Sequence, residues 1–293
     1  MEENNDIFTS DIGETSFDVE RNADSREAFN DLRRLRRSLH QYTEKSKTLL
    51  HVGFLGHFNA GKSSTINSLV GEVRSSGERL TGLHPTDKAV TLITHPQNSN
   101  DLIGAHTRGE LDVGSSLVDA DILKEVVVID TPGSGDPLIV EEMVRDFLPI
   151  CDRIIYTFSA TMPLDESDLP ILNEVHRELP FIPLRIVVTR GEVFRVDPLK
   201  PMTDENSDQP KIDTFTGDLI SRLAASVHGL NVAQEDILIV DNLWNYNIDR
   251  LRRFILPEVV EGTTLPIQLH THKVAYFIRN AKTIRTFSVD YLA

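Results

Sequence analysis

Cysteine, aromatic residues and basic charge are all scarce in this sequence, and each shortage narrows the classes of protein that it can encode. Cys151 is the single cysteine among 293 residues, so no intramolecular disulfide can form. Aromatic residues make up 6% and do not alternate with basic ones, which argues against a surface that stacks nucleic-acid bases. No stretch of about 18 consecutive apolar residues occurs, so any membrane contact must be peripheral.

Acidic residues outnumber basic ones by 45 to 30, which gives a formal net charge of −15. A chain of this charge has no bulk electrostatic attraction for nucleic acid or for an anionic lipid surface, and we expect nucleic acid not to be a partner. The N-terminal residues lack the basic and apolar regions of a secretion signal, so we predict a cytoplasmic protein. The 40% of hydrophobic residues is enough to build a substantial core.

Changes of composition divide the chain into four predicted segments. Acidic residues dominate the N-terminus, where few apolar side chains could offset the entropy of ordering, and residues 1–22 are predicted to be a disordered acidic tail. Leucines at spacings of three and four between arginines predict an amphipathic helix over residues 23–48. Residues 49–256 form the main domain, and a basic amphipathic pattern predicts a C-terminal helical segment over residues 257–293.

The main domain alternates apolar, Val- and Ile-rich runs with amphipathic stretches, which predicts an α/β fold with a mostly parallel six-stranded sheet and helices on both faces. A polar connection over residues 194–213 is predicted to be a surface insertion. The predicted strands are residues 49–55, 89–95, 125–130, 153–158, 184–189 and 237–240. The predicted helices are residues 61–70, 138–147, 168–177, 215–227 and 247–255.

Gly56, Gly61, Lys62 and Ser63 fit the phosphate-loop pattern G-x-x-x-x-G-K-[ST] at the junction of the first predicted strand and its helix. The glycines let backbone N–H groups and the helix N-terminus point at a bound phosphate. Lys62 would bridge the β- and γ-phosphates, and Ser63 would ligate Mg²⁺. The predicted nucleotide-binding residues of this loop are Gly56, His57, Phe58, Asn59, Ala60, Gly61, Lys62, Ser63 and Ser64.

Two later segments follow strands in the same way. Asp130 ends an apolar strand and opens the sequence D-T-P-G, where the carboxylate can hold a magnesium water while the Gly133 N–H meets the γ-phosphate. Thr189, Arg190 and Glu192 follow the next apolar strand but one, in the place of a nucleobase reader. A phosphate loop alone does not show whether a protein binds ATP or GTP, so the identity of the nucleotide must be inferred from these two segments.

The three motifs together resemble those of GTPases of the translation-factor-related class. Residues 58–69 are similar to the phosphate-loop helix of bacterial dynamin-like proteins and of Era-like and MnmE-like GTPases, and residues 163–168 also have a dynamin-like pattern. The resemblance covers residues 49–256. It implies a P-loop GTPase domain that binds GTP and GDP with Mg²⁺ and hydrolyses GTP.

The resemblance also implies roles for individual residues. The family binds guanine with the motif [NT]-K-x-D. In this sequence Glu192 offers the carboxylate on a side chain one methylene longer, and Arg190 can cover the purine face. The alternative that Glu192 is only an exposed acidic residue of a loop stays open. Asp241 and Asn242 would form the last guanine loop, through a backbone N–H alone. Thr86 is the first choice for the switch-one threonine that binds Mg²⁺ and the γ-phosphate, with Thr91 as the reserve.

Asn59 and the residues after Gly133 bear on catalysis, which the resemblance assigns to Lys62, Asn59 and Thr86. In MnmE-like GTPases an asparagine at this position helps to coordinate K⁺, so stimulation by K⁺ or Na⁺ is predicted; the alternative is that Asn59 only caps the loop. No glutamine follows Gly133 to orient water, so we predict that a second copy closes the site in a homodimer.

In dynamin-like proteins the segments that flank the GTPase domain pack together as a helical bundle. Residues 23–48 and 257–293 are placed for this role, but both could instead cover the sheet. With no stalk or anchor after residue 293, the chain is predicted to be a fragment or a minimal GTPase. The leading hypothesis is a dynamin-like switch, which could also remodel membranes. The alternatives are an Era-like GTPase that acts on ribosomal RNA and a non-catalytic scaffold. The D-T-P-G sequence argues against an ATP-using kinase.

Overall fold

Seven strands and four α-helices are formed by the residues that the computed structural model describes, which are 49–71, 89–101, 112–133, 140, 143–144 and 148–256. All of them lie in the larger of the two compact units into which the chain divides, Tyr42–Lys273. The strands are β1 (Leu50–Leu55), β2 (Ala89–Thr94), β3 (Asp112–Leu117), β4 (Val126–Asp130), β5 (Arg153–Ser159), β6 (Leu184–Thr189) and β7 (Ile237–Ile239). The helices are α1 (Lys62–Leu69), α2 (Asp168–Glu178), α3 (Gln209–Ser226) and α4 (Ile248–Ile255).

The strands form one sheet in the order β3-β2-β4-β1-β5-β6-β7. Every neighbouring pair is parallel except β2 and β4, which are antiparallel. Every residue of β4 and β5 is buried, as their continuous Val- and Ile-rich sequences predict for central parallel strands. The predicted α/β fold with a mostly parallel sheet is confirmed.

The sheet has one strand more than the six predicted. The additional strand, β3, has the sequence DVGSSL and pairs with β2 at the edge of the sheet. Glycine and serine are weak strand formers, and an edge strand needs apolar side chains less than a central one does. Its pairing with β2, rather than its own composition, makes this segment a strand.

The helix α3 begins six residues before the predicted start at residue 215. Asp208 is its N-cap, where the carboxylate accepts a hydrogen bond from the Lys211 N–H at 3.1 Å, and Pro210 stands in the first turn, where its missing N–H costs nothing. The predicted insertion therefore ends at residue 208. Its remaining part is held by buried Asn206, whose amide bonds the backbone of Asp197 in both directions, at 2.8 and 3.0 Å.

Some predicted elements lie outside the described residues. Of the helix predicted over residues 138–147, Val140, Met143 and Val144 are helical and buried, at the spacing of one helix face. The acidic tail and the two flanking helices, over residues 1–48 and 257–293, are not described, so these boundaries stay predictions.

The topology brings four strand ends to one edge of the sheet. β1, β4, β5 and β6 are adjacent and share one direction, so their carboxyl ends, at Leu55, Asp130, Ser159 and Thr189, lie side by side. In open α/β sheets this edge is where ligands bind. Within the described part of the chain, no helix is both long and apolar enough to cross a lipid bilayer.

Candidate functional site

The loop between β1 and α1 has a backbone that only glycine fits at two places. Gly56 has φ +144°, and a Cβ there would lie 2.3 Å from the Thr157 backbone oxygen of β5. Gly61 has φ +92° and is the N-cap residue of α1. Between them Asn59 also has a positive φ, of 62°. The loop consequently wraps over the N-terminus of α1, which is the geometry that a phosphate cradle requires.

Lys62 is buried and folds back over this loop. Its Nζ donates hydrogen bonds to the carbonyl oxygens of Gly56, at 2.8 Å, and His57, at 3.3 Å. Burial lowers the pKa of Lys62, while the charges of Asp130 and Asp168 oppose that shift. The ammonium group therefore lies within the loop, beside the place where phosphate oxygens would replace the two carbonyls.

Ser63 and Asp130 meet although 67 residues separate them in the sequence. The Ser63 hydroxyl donates a hydrogen bond to Asp130 Oδ2 at 3.0 Å, which joins the first turn of α1 to the end of β4. Burial raises the pKa of Asp130, whereas the Lys62 charge and the Ser63 hydrogen bond lower it. Asp130 Oδ1 is buried and has no hydrogen-bond partner among the described residues.

This pair passes a simple test for a magnesium site. A hydroxyl and a carboxylate are the hard oxygen ligands that Mg²⁺ prefers, and the metal usually takes only one or two protein ligands besides phosphate and water. An unpartnered buried carboxylate oxygen needs an explanation, and a cation or its water supplies one. Among the described residues no group of three His, Cys, Asp or Glu side chains could hold a metal by itself.

The D-T-P-G segment packs directly on the phosphate loop. The Thr131 hydroxyl donates to the Phe54 carbonyl of β1 at 2.7 Å. Two residues later, a Cβ built on Gly133 would lie 3.2 Å from the Cα, Cβ and N atoms of Phe58. Gly133 therefore packs closely on the phosphate loop, where a side chain would crowd Phe58.

The predicted base-reading segment joins the phosphate loop from the other side. The buried Thr189 hydroxyl donates to the Ala60 carbonyl at 2.7 Å. Arg190 has φ +59°, and a Cβ on Gly191 would lie 3.0 Å from the Val240 backbone oxygen. Glu192 follows in a 3₁₀ turn and is partly exposed.

Hydrogen bonds within the protein fix the loop that holds Asp241 and Asn242, and its predicted backbone N–H contact with guanine stays a prediction. The buried Asp241 accepts hydrogen bonds at its Oδ1 from the N–H groups of Leu243, at 2.8 Å, and Trp244, at 3.2 Å. The Asn242 side chain donates to Thr65 Oγ1 of α1 at 3.0 Å. Both side chains thus fix the loop, and no sequence pattern indicated these contacts.

The two threonines proposed for switch one have different outcomes. Thr86 lies outside the described residues, so its role stays a prediction. Thr91 lies within β2, where its Cα pairs with that of Asp130 in the antiparallel register. Thr91 is therefore a strand residue next to the site. Ser64 is exposed in the first turn of α1 and Asn59 is exposed in the loop, and their roles stay predictions.

Sequence reasoning missed a hydrogen-bond chain that supports the loop from α2. The His57 Nδ1 and the Ser167 hydroxyl are 2.9 Å apart. Next to Ser167, the buried Asp168 accepts hydrogen bonds from the Tyr156 hydroxyl, at 2.7 Å, and the Asp165 N–H, at 2.8 Å. Burial raises the pKa of Asp168, against both hydrogen bonds. The polar run over residues 165–168 was the only sequence signal for this support.

Large apolar side chains are exposed around the same edge. Phe58 of the phosphate loop is 58% exposed, Met162 after β5 is 52% exposed, and Leu243 and Trp244 of the guanine loop are 74% and 45% exposed. Residues 57–60, Arg190 and the end of β5 also line a cavity of about 90 Å³ beside the loop. Exposed apolar groups gathered in this way mark interaction surfaces.

The sequence is similar to one family model and to two curated GTPases, each over part of its length. Residues 51–190 match the family model described as "50S ribosome-binding GTPase". Over 146 residues, 48% of this chain, the sequence is 30% identical to the "Probable transmembrane GTPase FZO-like, chloroplastic" of Arabidopsis thaliana, of which the match covers 15%. Over 218 residues, 72% of this chain, it is 22% identical to "GTPase Era" of Corynebacterium glutamicum, of which the match covers 55%.

Two solved structures also align with the chain at low identity. A structure titled "An oligomerised bacterial dynamin pair provides a mechanism for the long range sensing and tethering of membranes" aligns with 96% of this chain and 50% of its own, at 17% identity and a TM-score of 0.48. Toc33 from Arabidopsis thaliana, with GDP and Mg²⁺, aligns with 75% of this chain and 89% of its own, at 15% identity and a TM-score of 0.44. The family model and the curated relatives confirm the predicted resemblance.

Proposed function

We propose that the chain carries a P-loop GTPase domain, which binds GTP with Mg²⁺ and hydrolyses it to GDP and phosphate; the match of residues 51–190 to the GTPase family model supports this. The observation that carries the proposal is the convergence of Lys62, Ser63 and Asp130. Three groups of the type that hold a phosphate chain and its metal occupy one spot, at the N-terminus of a helix. A loop that served only the fold would not need a buried lysine and a buried carboxylate.

Each residue has a distinct part in this proposal. Lys62 exchanges the carbonyls of Gly56 and His57 for β- and γ-phosphate oxygens. Ser63 and Asp130 would hold Mg²⁺, which would neutralise the charge of the phosphate oxygens. The Gly133 N–H donates to the γ-phosphate, which makes the D-T-P-G segment the part of the site that distinguishes GTP from GDP.

On the base side, the proposal assigns guanine to Glu192. Its carboxylate accepts hydrogen bonds from the guanine ring N–H and the exocyclic amine, while the Arg190 plane covers the purine. The position of Glu192 beside Thr189, whose hydroxyl is bonded to the phosphate loop, supports this assignment.

We further propose that a second copy completes the site. The segment after Gly133 offers no glutamine to orient water, so a positioned backbone, a monovalent cation near Asn59 and a partner must supply that function. The exposed side chains of Phe58, Met162, Leu243 and Trp244 support a contact across the nucleotide edge, because a partner there would cover them. GTP hydrolysis would then be coupled to dimerisation, as in a dynamin-like switch that contacts membranes peripherally.

The first experiment measures phosphate release by the wild type and by Lys62→Ala. We expect the variant to lose GTP hydrolysis, because no other described lysine contacts the phosphate loop. Lys124→Ala is the matched control, since Lys124 is exposed and its ammonium pairs with Asp121 at 2.6 Å, away from the loop. Equal rates in the wild type and Lys62→Ala would exclude this site as the catalytic one. A wild type that binds GTP but does not hydrolyse it would favour a non-catalytic scaffold.

Calorimetric titration of GTP, GDP and ATP with Mg²⁺ tests the base assignment. We expect GTP and GDP to bind and ATP to bind at least about tenfold more weakly, which corresponds to roughly 1.4 kcal/mol. Equal affinity for ATP would overturn the role of Glu192 but not that of Lys62.

The rate per molecule at increasing protein concentration tests the dimer. A rise in specific activity supports completion of the site by a second copy, and a flat rate removes it. Repeating the series with K⁺ replaced by Na⁺ or by a bulky organic cation tests Asn59 separately, because indifference to the cation would leave Asn59 as a loop-capping residue.

A ribosome-associated GTPase is the second candidate, because the matched family model is described as ribosome-binding and one relative is named Era. Flotation with liposomes and retention of ribosomal RNA at physiological salt separate the two candidates. The net charge of −15 leads us to expect no RNA retention.

A further inference from the structure

Thr65 connects two parts of the site that are far apart in the sequence. It is fully buried in α1, and its hydroxyl donates a hydrogen bond to the Gly61 carbonyl at 2.9 Å. The same oxygen accepts a hydrogen bond from Asn242 Nδ2 at 3.0 Å, across 177 residues. A path of two hydrogen bonds therefore leads from the guanine loop to the residue that precedes Lys62.

The chemistry of the hydroxyl fixes the direction of this path. Thr65 has one hydroxyl hydrogen, and the Gly61 carbonyl accepts it. The group that faces Thr65 must then be a donor, so the Asn242 amide presents its NH₂ side. Asn242 Oδ1 is buried and has no hydrogen-bond partner among the described residues, so this contact is the one that orients the amide there.

A second hydroxyl makes a parallel connection. Thr189 donates to the Ala60 carbonyl at 2.7 Å, so two successive carbonyls of the phosphate loop, those of Ala60 and Gly61, are each held by a threonine hydroxyl. Thr189 belongs to the base-reading segment, and Thr65 is bonded to the guanine loop. Both base-side segments thus act on the backbone immediately before Lys62.

We propose that Asn242 and Thr65 form a positioning pair that couples the guanine loop to the phosphate loop, so that order at the nucleobase improves the grip on the phosphates. This inference rests on the proposed function, because it assigns a role within that site. Neither side chain needs to touch the nucleotide: the pair acts through the Gly61 backbone. The coupling is reciprocal, since two linked binding regions must strengthen each other by the same factor.

A ligand without a base isolates the coupling from direct base contact. Inorganic tripolyphosphate with Mg²⁺ fills the phosphate loop and leaves the guanine loop empty. Asn242→Ala removes the side chain and keeps the backbone N–H that is predicted to contact the base. If the pair positions the loop, this distant substitution weakens tripolyphosphate binding; if Asn242 only contacts guanine, GTP binding falls and tripolyphosphate binding does not.

The experiment is a double-mutant cycle with Asn242→Ala and Thr65→Val, measured by calorimetry with GTP and with tripolyphosphate. We expect each single variant to weaken both ligands by about threefold to tenfold, the range of one net hydrogen bond, and the double variant to be no weaker than Thr65→Val. Thr65→Ser keeps the hydroxyl and should restore wild-type affinity. Thr214→Val is the matched control, because the exposed Thr214 makes the same bond one helical turn back, to Pro210, at 2.9 Å on α3.

Thermal unfolding of each variant shows whether it is folded at the assay temperature, and the Thr65→Ser and Asn242→Ala arms carry the test if Thr65→Val does not fold. Additive effects in the cycle, or unchanged tripolyphosphate binding by Asn242→Ala, would overturn the positioning pair. In that case the proposed function still stands if the wild type binds GTP. Absent GTP binding by the wild type would overturn the proposed function itself, and the pair with it.

Discussion

Replacing Gly133 by alanine tests whether the D-T-P-G segment reads the γ-phosphate. The added Cβ would lie 3.2 Å from three atoms of Phe58, whereas carbon atoms in ordinary contact are about 3.5–4.0 Å apart. Overpacking of this kind costs about 1–3 kcal/mol. Because Phe58 belongs to a loop fixed by Gly56 and Lys62, we expect the Gly133 side to move away and its N–H to leave the phosphate.

The expected result is a loss of GTP affinity of roughly fivefold to 150-fold, the equivalent of that energy, with GDP affinity unchanged. Calorimetric titration of both nucleotides measures the ratio, and thermal unfolding confirms that the variant is folded. Gly217→Ala on α3 is the control, because nothing lies within 4 Å of the added Cβ there. Equal losses for GTP and GDP, or no loss for either, would refute the assignment of Gly133 to the γ-phosphate.

Three further substitutions test the structure around the site. Gly56→Ala should lower the free energy of unfolding by about 2–6 kcal/mol, because Gly56 has a positive φ and the added Cβ would lie 2.3 Å from a β5 carbonyl oxygen. The matched Gly71→Ala should cost about 1–2 kcal/mol, because Gly71 also has a positive φ but no atom would lie closer than 3.9 Å to the added Cβ. Equal losses in denaturant titrations would contradict the clash at Gly56. Asp168→Asn should be less stable than the wild type, and the difference in free energy of unfolding should narrow as the pH rises from about 3.9. Burial raises the folded-state pKa of Asp168, so the stability that its carboxyl group contributes is lost as the pH rises through that pKa. A difference that stays constant with pH would refute the raised pKa. Ser63→Ala should weaken Mg²⁺-dependent GTP binding by at least about tenfold. The control Ser221→Ala, which removes an exposed hydroxyl from α3, should not weaken it. If Ser63→Ala keeps the wild-type dependence on Mg²⁺, Ser63 does not belong to the metal site.

The phosphate side of the site could be predicted from short patterns. Gly56, Gly61 and Lys62 lie within seven residues, and their roles follow from local backbone geometry, which a motif records in full. Asp130 was predictable for a related reason, because it ends a strongly apolar strand and parallel strands end at the same edge of the sheet.

The base side could be predicted less well, because its important contacts join residues that are distant in the sequence. Nothing around Asn242 indicates that its amide meets Thr65 on α1, and the support of His57 by Ser167 is equally non-local. The edge strand β3 shows the same limit, since its Gly-Ser sequence becomes a strand only through pairing with β2.

The sequence by itself determined the α/β class, the phosphate loop and six of the seven strands along the chain. Local backbone preferences and apolar patterns encode these features, and both are properties of neighbouring residues. Only the tertiary structure decided that Ser63 reaches Asp130 and that Thr189 and Thr65 hold two successive carbonyls of the phosphate loop. Hydrogen bonds between distant segments depend on which strands become neighbours, and that order across the sheet is set by packing of the whole domain.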